Sequence, residues 1–367
     1  MVMFKNFYAG KKVLITGNTG FKGSWLSIWL DKLGADVYGL SNGVLTEPAL
    51  FVDSELENKF HTEYIDIRDR KEVTRYVQEV NPDIVFHLAA QAIVSESYSN
   101  PIETLEVNAM GTANLLEALR SLSKPVIGIF ITSDKCYENV EWEYGYREID
   151  RLGGKDVYSA SKACAEIIFS SYTRSFGVET PNLMVASARA GNVIGGGDWS
   201  KDRIVVDIFK SWFESMPVNL RAPHATRPWQ HVLEPLSGYL TLAIKLSNSE
   251  ISNGESFNFG PLSEQNYTVK NLAESLFSYY KHPDRPEKPL TYDSSKAFSE
   301  AGLLKLSCDK AKHYLNWEPN LRYEECVSYV ANWYAAYNAK DDVYHLTSMQ
   351  IDEYCSSAKE RGLVWTK

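Results

Sequence analysis

The sequence predicts an α/β fold built on a doubly wound parallel sheet, with a second, smaller mixed α/β lobe. Over the first half of the chain, short apolar runs alternate with amphipathic stretches, as in sheets whose strands are joined by helices. The runs are apolar nearly throughout, which indicates parallel strands covered on both faces. The chain has 367 residues, more than one hydrophobic core usually organises, so we expect two lobes.

The predicted strands are rich in β-branched and aromatic residues and are bounded by turn residues. In chain order they are KVLITG, ADVYGL, FHTEYID, PDIVFHLA, PVIGIFIT and NLMVASA. The stretches between them place apolar residues at helical spacing. The predicted helices are SWLSIWLDKLG, KEVTRYVQEV, LEVNAMGTANLLEALRSL and SASKACAEIIFSSYTRSFG.

The character of the sequence changes after residue 192, where three consecutive glycines precede a segment rich in Pro, Trp and Arg. This change predicts the beginning of the second lobe. The stretch 229–259 has a helical pattern followed by a strand pattern, and we expect it to return to the first lobe. The predicted first domain is therefore 1–190 with the return at about 229–259, and the second is 191–228 with 260–367.

Composition excludes several classes of function. A net charge of −9 argues against nucleic-acid binding, which needs a broadly basic surface. Charges interrupt the apolar runs well before the roughly 20 residues of a membrane helix, and the N-terminus lacks the pattern of a secretory signal. The five cysteines form no CxxC pair, and no cluster has metal-ligand spacing, so we expect reduced thiols and no metal. We therefore predict a cytoplasmic protein that binds a small molecule.

A glycine-rich loop directly follows the first predicted strand. The run VLITGNTGFKGSWL places Gly17, Gly20 and Gly23 at the start of a helix. Glycines there let the backbone approach a pyrophosphate, and the helix N-terminus offers free N–H groups to the anion. The strand–loop–helix context predicts a dinucleotide site in the first domain, with Phe21 and Lys22 of the loop contributing to it.

A tyrosine and a lysine stand four residues apart in VYSASKACAE. On a helix, Tyr158 and Lys162 lie on one face. An ammonium near a phenol stabilises the phenolate and lowers the tyrosine pKa. Such a tyrosine can remove a hydroxyl proton while hydride leaves the adjoining carbon. We therefore predict that this pair is catalytic.

The fifth predicted strand ends in polar residues. Active sites in open α/β sheets lie beyond the carboxyl ends of the strands. Ser133, Asp134 and Lys135, in IFITSDKCY, are therefore expected to face the crevice that holds the cofactor.

The Gly-x-x-Gly-x-x-Gly spacing, together with Tyr158 and Lys162, resembles the short-chain dehydrogenase/reductase superfamily, whose nucleotide domain is of the Rossmann type. The resemblance implies a nicotinamide cofactor, NAD or NADP. An acidic residue that binds the adenosine ribose is expected about 20 residues after the loop, but Ser41 and Asn42 stand there. The choice between NAD and NADP is left open, with Lys22 a candidate for holding a 2′-phosphate.

Further segments resemble cofactor contacts of the same superfamily. Asp66 and Ile67, after the third strand, are similar to its adenine-binding pair, and the HLAAQA segment places Leu88, Ala89 and Ala90 where relatives contact the cofactor. A homodimer through the helices that carry Asn108 and Tyr158 is also implied by the resemblance.

The fifth strand is followed by a Ser/Thr and then by an acid–base pair of residues. In this respect the sequence resembles the sugar-nucleotide 4,6-dehydratases of the extended superfamily. Asp134-Lys135, with GNTGFKGSWL and TSDKCY, is similar to the branch that acts on CDP-glucose. The resemblance implies that Tyr158 takes the proton from the 4-hydroxyl, with Lys162 keeping the tyrosine ionised and Ser133 orienting the sugar. Lys135, if neutral, would then remove the C5 proton, and Asp134, if protonated, would protonate the departing 6-hydroxyl.

The second lobe is expected to hold the nucleotide diphosphate. By resemblance, Asn192 in RAGNV and Arg227 in RPWQHV match phosphate contacts, and Arg203 is a further candidate. Three alternatives remain open: a sugar-nucleotide 4-epimerase, a non-catalytic dinucleotide-binding regulator, and a dehydrogenase that releases reduced cofactor. The Asp134-Lys135 pair argues against the epimerase, and the retained Tyr158 and Lys162 argue against the regulator.

Overall fold

A computed structural model describes residues 3–220, 222–262, 265–283, 285–292 and 303–367. The strands, numbered in chain order, are β1 Lys12–Thr16, β2 Asp36–Ser41, β3 His61–Tyr64, β4 Ile84–His87, β5 Val126–Ile131, β6 Leu183–Ala190, β7 Val193–Ile194, β8 Val218–Leu220, β9 Thr226–Arg227, β10 Gln230–His231, β11 Ser256–Phe259, β12 Tyr267–Thr268 and β13 Leu290–Tyr292.

The α-helices are α1 Phe21–Lys32, α2 Leu50–Asp53, α3 Arg70–Val80, α4 Val94–Ser99, α5 Pro101–Leu105, α6 Gly111–Arg120, α7 Val157–Phe176, α8 Ile204–Phe213, α9 Leu233–Ser247, α10 Val269–Tyr279, α11 Tyr323–Asn338 and α12 Val343–Glu360. A π-helical turn, Glu106–Met110, joins α5 to α6. No helix in the described ranges is long and apolar enough to cross a membrane.

Seven strands form one parallel sheet in the order β11-β6-β5-β4-β1-β2-β3. The chain runs outward from β1 through β2 to β3, then returns to the other side of β1 to form β4, β5 and β6. This reversal opens a crevice at the carboxyl ends of β1 and β4, where ligands bind in doubly wound sheets. The predicted doubly wound α/β fold is confirmed.

Successive residues of each strand point to opposite faces of the sheet, and each face packs in its own hydrophobic core. On one face, Leu14 and Val85 pack with apolar side chains of α3 and α6. On the other, Val13 and Ile15 pack in a larger core with the indoles of Trp25 and Trp29 from α1. Both faces of the sheet are thus covered, which accounts for the nearly continuous apolar runs in the sequence.

Segments distant in the chain complete the sheet and its cover. β11 pairs in parallel with β6, from Ser256 opposite Ser187 to Phe259 opposite Ala190. α12 packs against α1, with the rings of Trp29 and Tyr354 5.7 Å apart. Small two-stranded sheets, β7–β10, β9–β12 and β8–β13, lie beyond the main sheet. The division into two domains at the boundaries given above stays a prediction.

Candidate active site

Glycines shape the turn between β1 and α1. Gly17 has a φ of 75°, in the left-handed region that favours glycine. A Cβ atom at Gly17 would lie 2.8 Å from the backbone nitrogen of Ala89, and one at Gly23 would lie 2.1 Å from the Gly17 carbonyl oxygen. Gly20 precedes α1 without a side-chain cap, so the first-turn N–H groups keep their capacity to bind an anion. The loop fits the pyrophosphate of a dinucleotide.

The segment after β4 borders this turn. The backbone N–H of Leu88 donates to the Thr16 carbonyl (3.0 Å), and that of Ala89 donates to the Thr16 hydroxyl (3.2 Å). Leu88, Ala89 and Ala90 are each half-buried. They line the crevice beside the glycine loop and remain candidates for cofactor contact.

The pair proposed to bind adenine, Asp66 and Ile67, follows β3, and both side chains have partners within the protein. Arg68 donates to the Asp66 carboxylate, with Nη2 and Oδ2 2.6 Å apart, and this bonding lowers the pKa of Asp66. Ile67 is buried under α6, where a Cβ atom at Gly111 would lie 2.7 Å from its Cγ2. An adenine amino group would therefore share the Asp66 carboxylate with Arg68.

The Lys22 side chain lies near several charged groups of the crevice. Burial, followed by repulsion from Arg203 and Lys162, lowers the pKa of Lys22 to about 8, while Asp134 opposes the change. At the other end of the loop, the Ser41 hydroxyl lies 2.7 Å from that of Thr19. The suggestion that Lys22 holds a 2′-phosphate stays a prediction, although the charges that act on its ammonium come from Arg203, Lys162 and Asp134.

Tyr158 and Lys162 lie in the first two turns of α7, on one face and both buried. The helix begins after Asp156, whose carboxylate accepts from the Ser159 N–H (2.8 Å). Ser133 lies within hydrogen-bonding reach of the Tyr158 phenol. The predicted serine–tyrosine–lysine group is therefore assembled in the crevice.

Burial dominates the electrostatics of this pair. It raises the pKa of the Tyr158 phenol, and the opposing effects of Arg203 and the Ser133 hydrogen bond do not outweigh it. Burial also lowers the pKa of Lys162 to about 8. The expectation that Lys162 lowers the tyrosine pKa is wrong for this structure, because removing a phenolate from water costs more than the nearby charges return.

A turn at the end of β5 fixes Asp134. The Ser133 hydroxyl donates to its Oδ1 (2.9 Å), and the Asn192 amide approaches its Oδ2 (3.3 Å). A Cβ atom at Gly191 would lie 2.0 Å from Oδ2, so the carboxyl group fits only against glycine. Lys135 follows on the same 3-10 turn and is half-buried.

A buried ion pair between β6 and α7 stabilises the end of β5, where this turn begins. Arg189 on β6 donates to Glu166 on α7 (2.7 Å), and both side chains are at most 4% exposed. Thr132 also donates to Glu166 (2.5 Å), while Arg189 donates to the Tyr137 hydroxyl (2.7 Å). Although burial alone would raise the pKa of Glu166, the Arg189 guanidinium lowers it. The network joins the end of β5 to the helix that carries Tyr158 and Lys162.

The residues expected to bind the diphosphate are placed differently from one another. Asn192 touches Asp134, as described. Arg203 is exposed at the start of α8 and donates to the Ala92 carbonyl (3.1 Å). Its positive charge favours a lower pKa for both Tyr158 and Lys22. Arg227 lies on β9, half-buried, and donates to the Thr226 carbonyl (2.8 Å). Asn192 and Arg203 thus border the group of residues predicted to be catalytic.

Sequence reasoning missed three residues of the site. Gly191 contacts Asp134, Glu166 holds the supporting ion pair, and Gln230 lines a cavity together with Asp134. Glu166 was open to detection, since it follows Tyr158 and Lys162 at helical spacing. The roles of Gly191 and Gln230 depend on contacts between segments that are distant in the chain, and local sequence patterns do not show such contacts.

The histidines and acidic residues of the described ranges form no cluster of three that could hold a metal ion. His87 is buried and pairs with the Thr16 hydroxyl (2.7 Å). Burial, with repulsion from Lys162, lowers its pKa to about 3. It is therefore a neutral side chain that helps to pack β4 against β1.

The chain is similar to known proteins over most of its length. The family model described as GDP-mannose 4,6 dehydratase matches residues 14–330. A CDP-glucose 4,6-dehydratase of Salmonella typhimurium is 41% identical over 357 residues, which are 96% of this chain and 98% of the relative. A UDP-glucose 4-epimerase of Mycoplasma pneumoniae is 27% identical over 86% of this chain and 94% of its own. The structure of a Thermus thermophilus UDP-glucose 4-epimerase in complex with NAD has a TM-score of 0.71 and 25% identity, covering 88% of this chain and 98% of that one.

Proposed function

The chain belongs to the family described as GDP-mannose 4,6 dehydratase, and from this premise we propose that it is a lyase that converts CDP-glucose to CDP-4-keto-6-deoxyglucose. The relative that is 41% identical over nearly the whole chain bears the corresponding name. The observation that carries the proposal is the contact of Ser133 with Asp134 (2.9 Å) at a turn whose Ser133 hydroxyl also affects the pKa of Tyr158. That contact joins a group suited to oxidation at C4 to a group suited to elimination across C5 and C6.

The oxidation needs a proton acceptor for the 4-hydroxyl. Tyr158 takes this proton as C4 is oxidised, and Ser133 orients the hydroxyl. A bound NAD or NADP would supply the hydride acceptor and donor, and its positive charge would favour the tyrosinate. Lys162, one turn along α7, would hold the cofactor ribose. The glycine loop with Gly17, Gly20 and Gly23 would hold the pyrophosphate.

The elimination needs a base and an acid on the neighbouring carbons. A 4-ketone makes the C5 proton acidic, and Lys135 removes it. Asp134 protonates the 6-hydroxyl, which leaves as water. The hydrogen bonds of Asp134 with Ser133 and Asn192, together with the close contact at Gly191, fix its carboxyl group for this transfer.

We also propose that Asn192, Arg203 and Arg227 bind the substrate diphosphate. The assignment is best supported for Arg203, because its guanidinium is near enough to Tyr158 and Lys22 to favour a lower pKa for both. A guanidinium can bind phosphate oxygens through two parallel hydrogen bonds. Lys22 adds a second cationic group on the same side.

A homodimer and a cytoplasmic location complete the proposal. Helices α4 to α7, with the π-helical turn that carries Asn108, expose the large apolar side chains Tyr98, Ile102, Met110 and Ile167. Exposed apolar patches mark association surfaces. All five cysteines are free thiols, as expected in a reducing compartment. We infer that the product serves deoxysugar biosynthesis, such as that of O-antigens.

The decisive assay is incubation of the enzyme and NAD or NADP with CDP-, dTDP-, GDP- and UDP-glucose, followed by mass detection of the products. We expect loss of one water from CDP-glucose, faster than from the other three, and a product that absorbs in alkali as 4-keto-6-deoxy sugars do. A product of unchanged mass would indicate a 4-epimerase. Firm cofactor binding without turnover of any of the four would indicate a non-catalytic regulator.

A further inference from the structure

Gln230 on β10 presents a buried acceptor that no described residue satisfies. Its side chain is 2% exposed. Its Nε2 donates to two backbone carbonyls, those of Gly191 (2.9 Å) and Phe259 (3.0 Å). Rotating the amide would set its oxygen against both carbonyl oxygens, so the orientation is fixed. Within the described ranges, Oε1 has no hydrogen-bond partner, and a buried acceptor left in that state costs free energy.

The same side chain lines a cavity that reaches the proposed acid. The residues that line the cavity include Asp134, Gly191, Asn192, Gln230, Pro261 and Lys305. Asp134 and Asn192 are joined by a hydrogen bond, and Gly191, which precedes Asn192 in the chain, packs against the Asp134 carboxyl group. A ligand group that reaches Asp134 through this cavity therefore passes beside Gln230.

We propose that Oε1 of Gln230 accepts a hydrogen bond from the 6-hydroxyl of the bound hexose, the group that Asp134 protonates. The inference rests on the proposed dehydratase function. A hydroxyl can donate to one partner and accept from another. Gln230, which lacks a proton to give at Oε1, takes the donor side of the hydroxyl and so directs an oxygen lone pair toward Asp134.

The elimination then proceeds with all atoms accounted for. Lys135 takes the C5 proton, and the electron pair of that bond forms the C5–C6 double bond. The C6–O bond breaks with its electron pair on oxygen, which receives the proton of Asp134 and departs as water. The original hydroxyl proton stays on that water and keeps its bond to Gln230.

The test compares CDP-glucose with CDP-6-deoxyglucose, which can be oxidised at C4 but has no 6-hydroxyl. Wild-type enzyme is expected to bind the deoxy compound about 3- to 10-fold more weakly, the usual effect of one neutral hydrogen bond. The Gln230→Met variant, which keeps only the contact of the hydroxyl with Asp134, is expected to discriminate between the two compounds clearly less than wild type does.

Gln350→Met is the matched control. Gln350 is also buried, donates through Nε2 to a carbonyl (Tyr329, 2.8 Å) and has an unpartnered Oε1, but it lies on α12 away from the cavity. This variant should discriminate between the two compounds as wild type does. Discrimination in Gln230→Met that is as large as in wild type would overturn the inference. So would equal affinities in wild type, a measurement that stands even if Gln230→Met does not fold.

Failure of the proposed function would be seen separately. Wild-type enzyme that does not dehydrate CDP-glucose contradicts the function itself. Wild-type enzyme that dehydrates it without favouring the 6-hydroxyl contradicts only the role of Gln230.

Discussion

At the residue scale, the site depends on side chains whose surroundings leave them little freedom. Asp134 is held by Ser133 and Asn192 and lies against Gly191. The sequence was sufficient to select candidate catalytic residues, because each follows a strand or begins a helix at the crevice. It did not indicate the balance of charge and burial at Tyr158, since burial depends on segments that arrive from elsewhere in the chain.

The role of Lys135 is open to a direct test by the Lys135→Met substitution. We expect turnover of CDP-glucose to fall by about 10²- to 10⁴-fold, the usual loss when a general base is removed. Oxidation at C4 should persist, visible as reduced nicotinamide absorbance, while exchange of solvent deuterium into C5 stops. The matched control is Lys155→Met, an exposed lysine before α7, which should behave as wild type. Unchanged turnover in Lys135→Met would exclude Lys135 as the base.

At the scale of single elements, α7 serves two purposes. One face carries Tyr158, Lys162 and Glu166 at successive turns, and the last of these joins the helix to the end of β5 and to β6. The same helix packs beside α5 and the π-helical turn, where Asn108 donates to Ser161 (2.8 Å). These helices leave apolar side chains exposed on neighbouring elements, which is the basis of the proposed dimer.

The dimer can be tested by Met110→Lys. Met110 is 54% exposed beside α6, and a lysine there would place a charge in the proposed interface. We expect wild type to elute as a dimer of the 41.5 kDa chain in size-exclusion chromatography with light scattering, and the variant to shift toward monomer. Val52→Lys, at a side chain 56% exposed on α2, should stay dimeric. A wild-type monomer at micromolar concentration would contradict the proposal.

At the scale of the whole molecule, the strand–helix alternation was sufficient to predict the main sheet. Local patterns did not show that α12 packs on α1, with Tyr354 beside Trp29. Nor did they show that Gln230 is fixed by Gly191 and Phe259, which are 39 and 29 residues away in the chain. Contacts of this kind depend on how the second half of the chain folds back over the first, which periodicity does not encode.

The central claim is that one crevice oxidises C4, eliminates water and reduces C6 without releasing the hydride. The most direct measurement uses CDP-glucose labelled with deuterium at C4, followed by NMR of the product formed in ordinary water. We expect the deuterium at C6 of CDP-4-keto-6-deoxyglucose, with no accumulation of reduced nicotinamide. Deuterium found in released cofactor, or a product that keeps its 6-hydroxyl, would contradict the account.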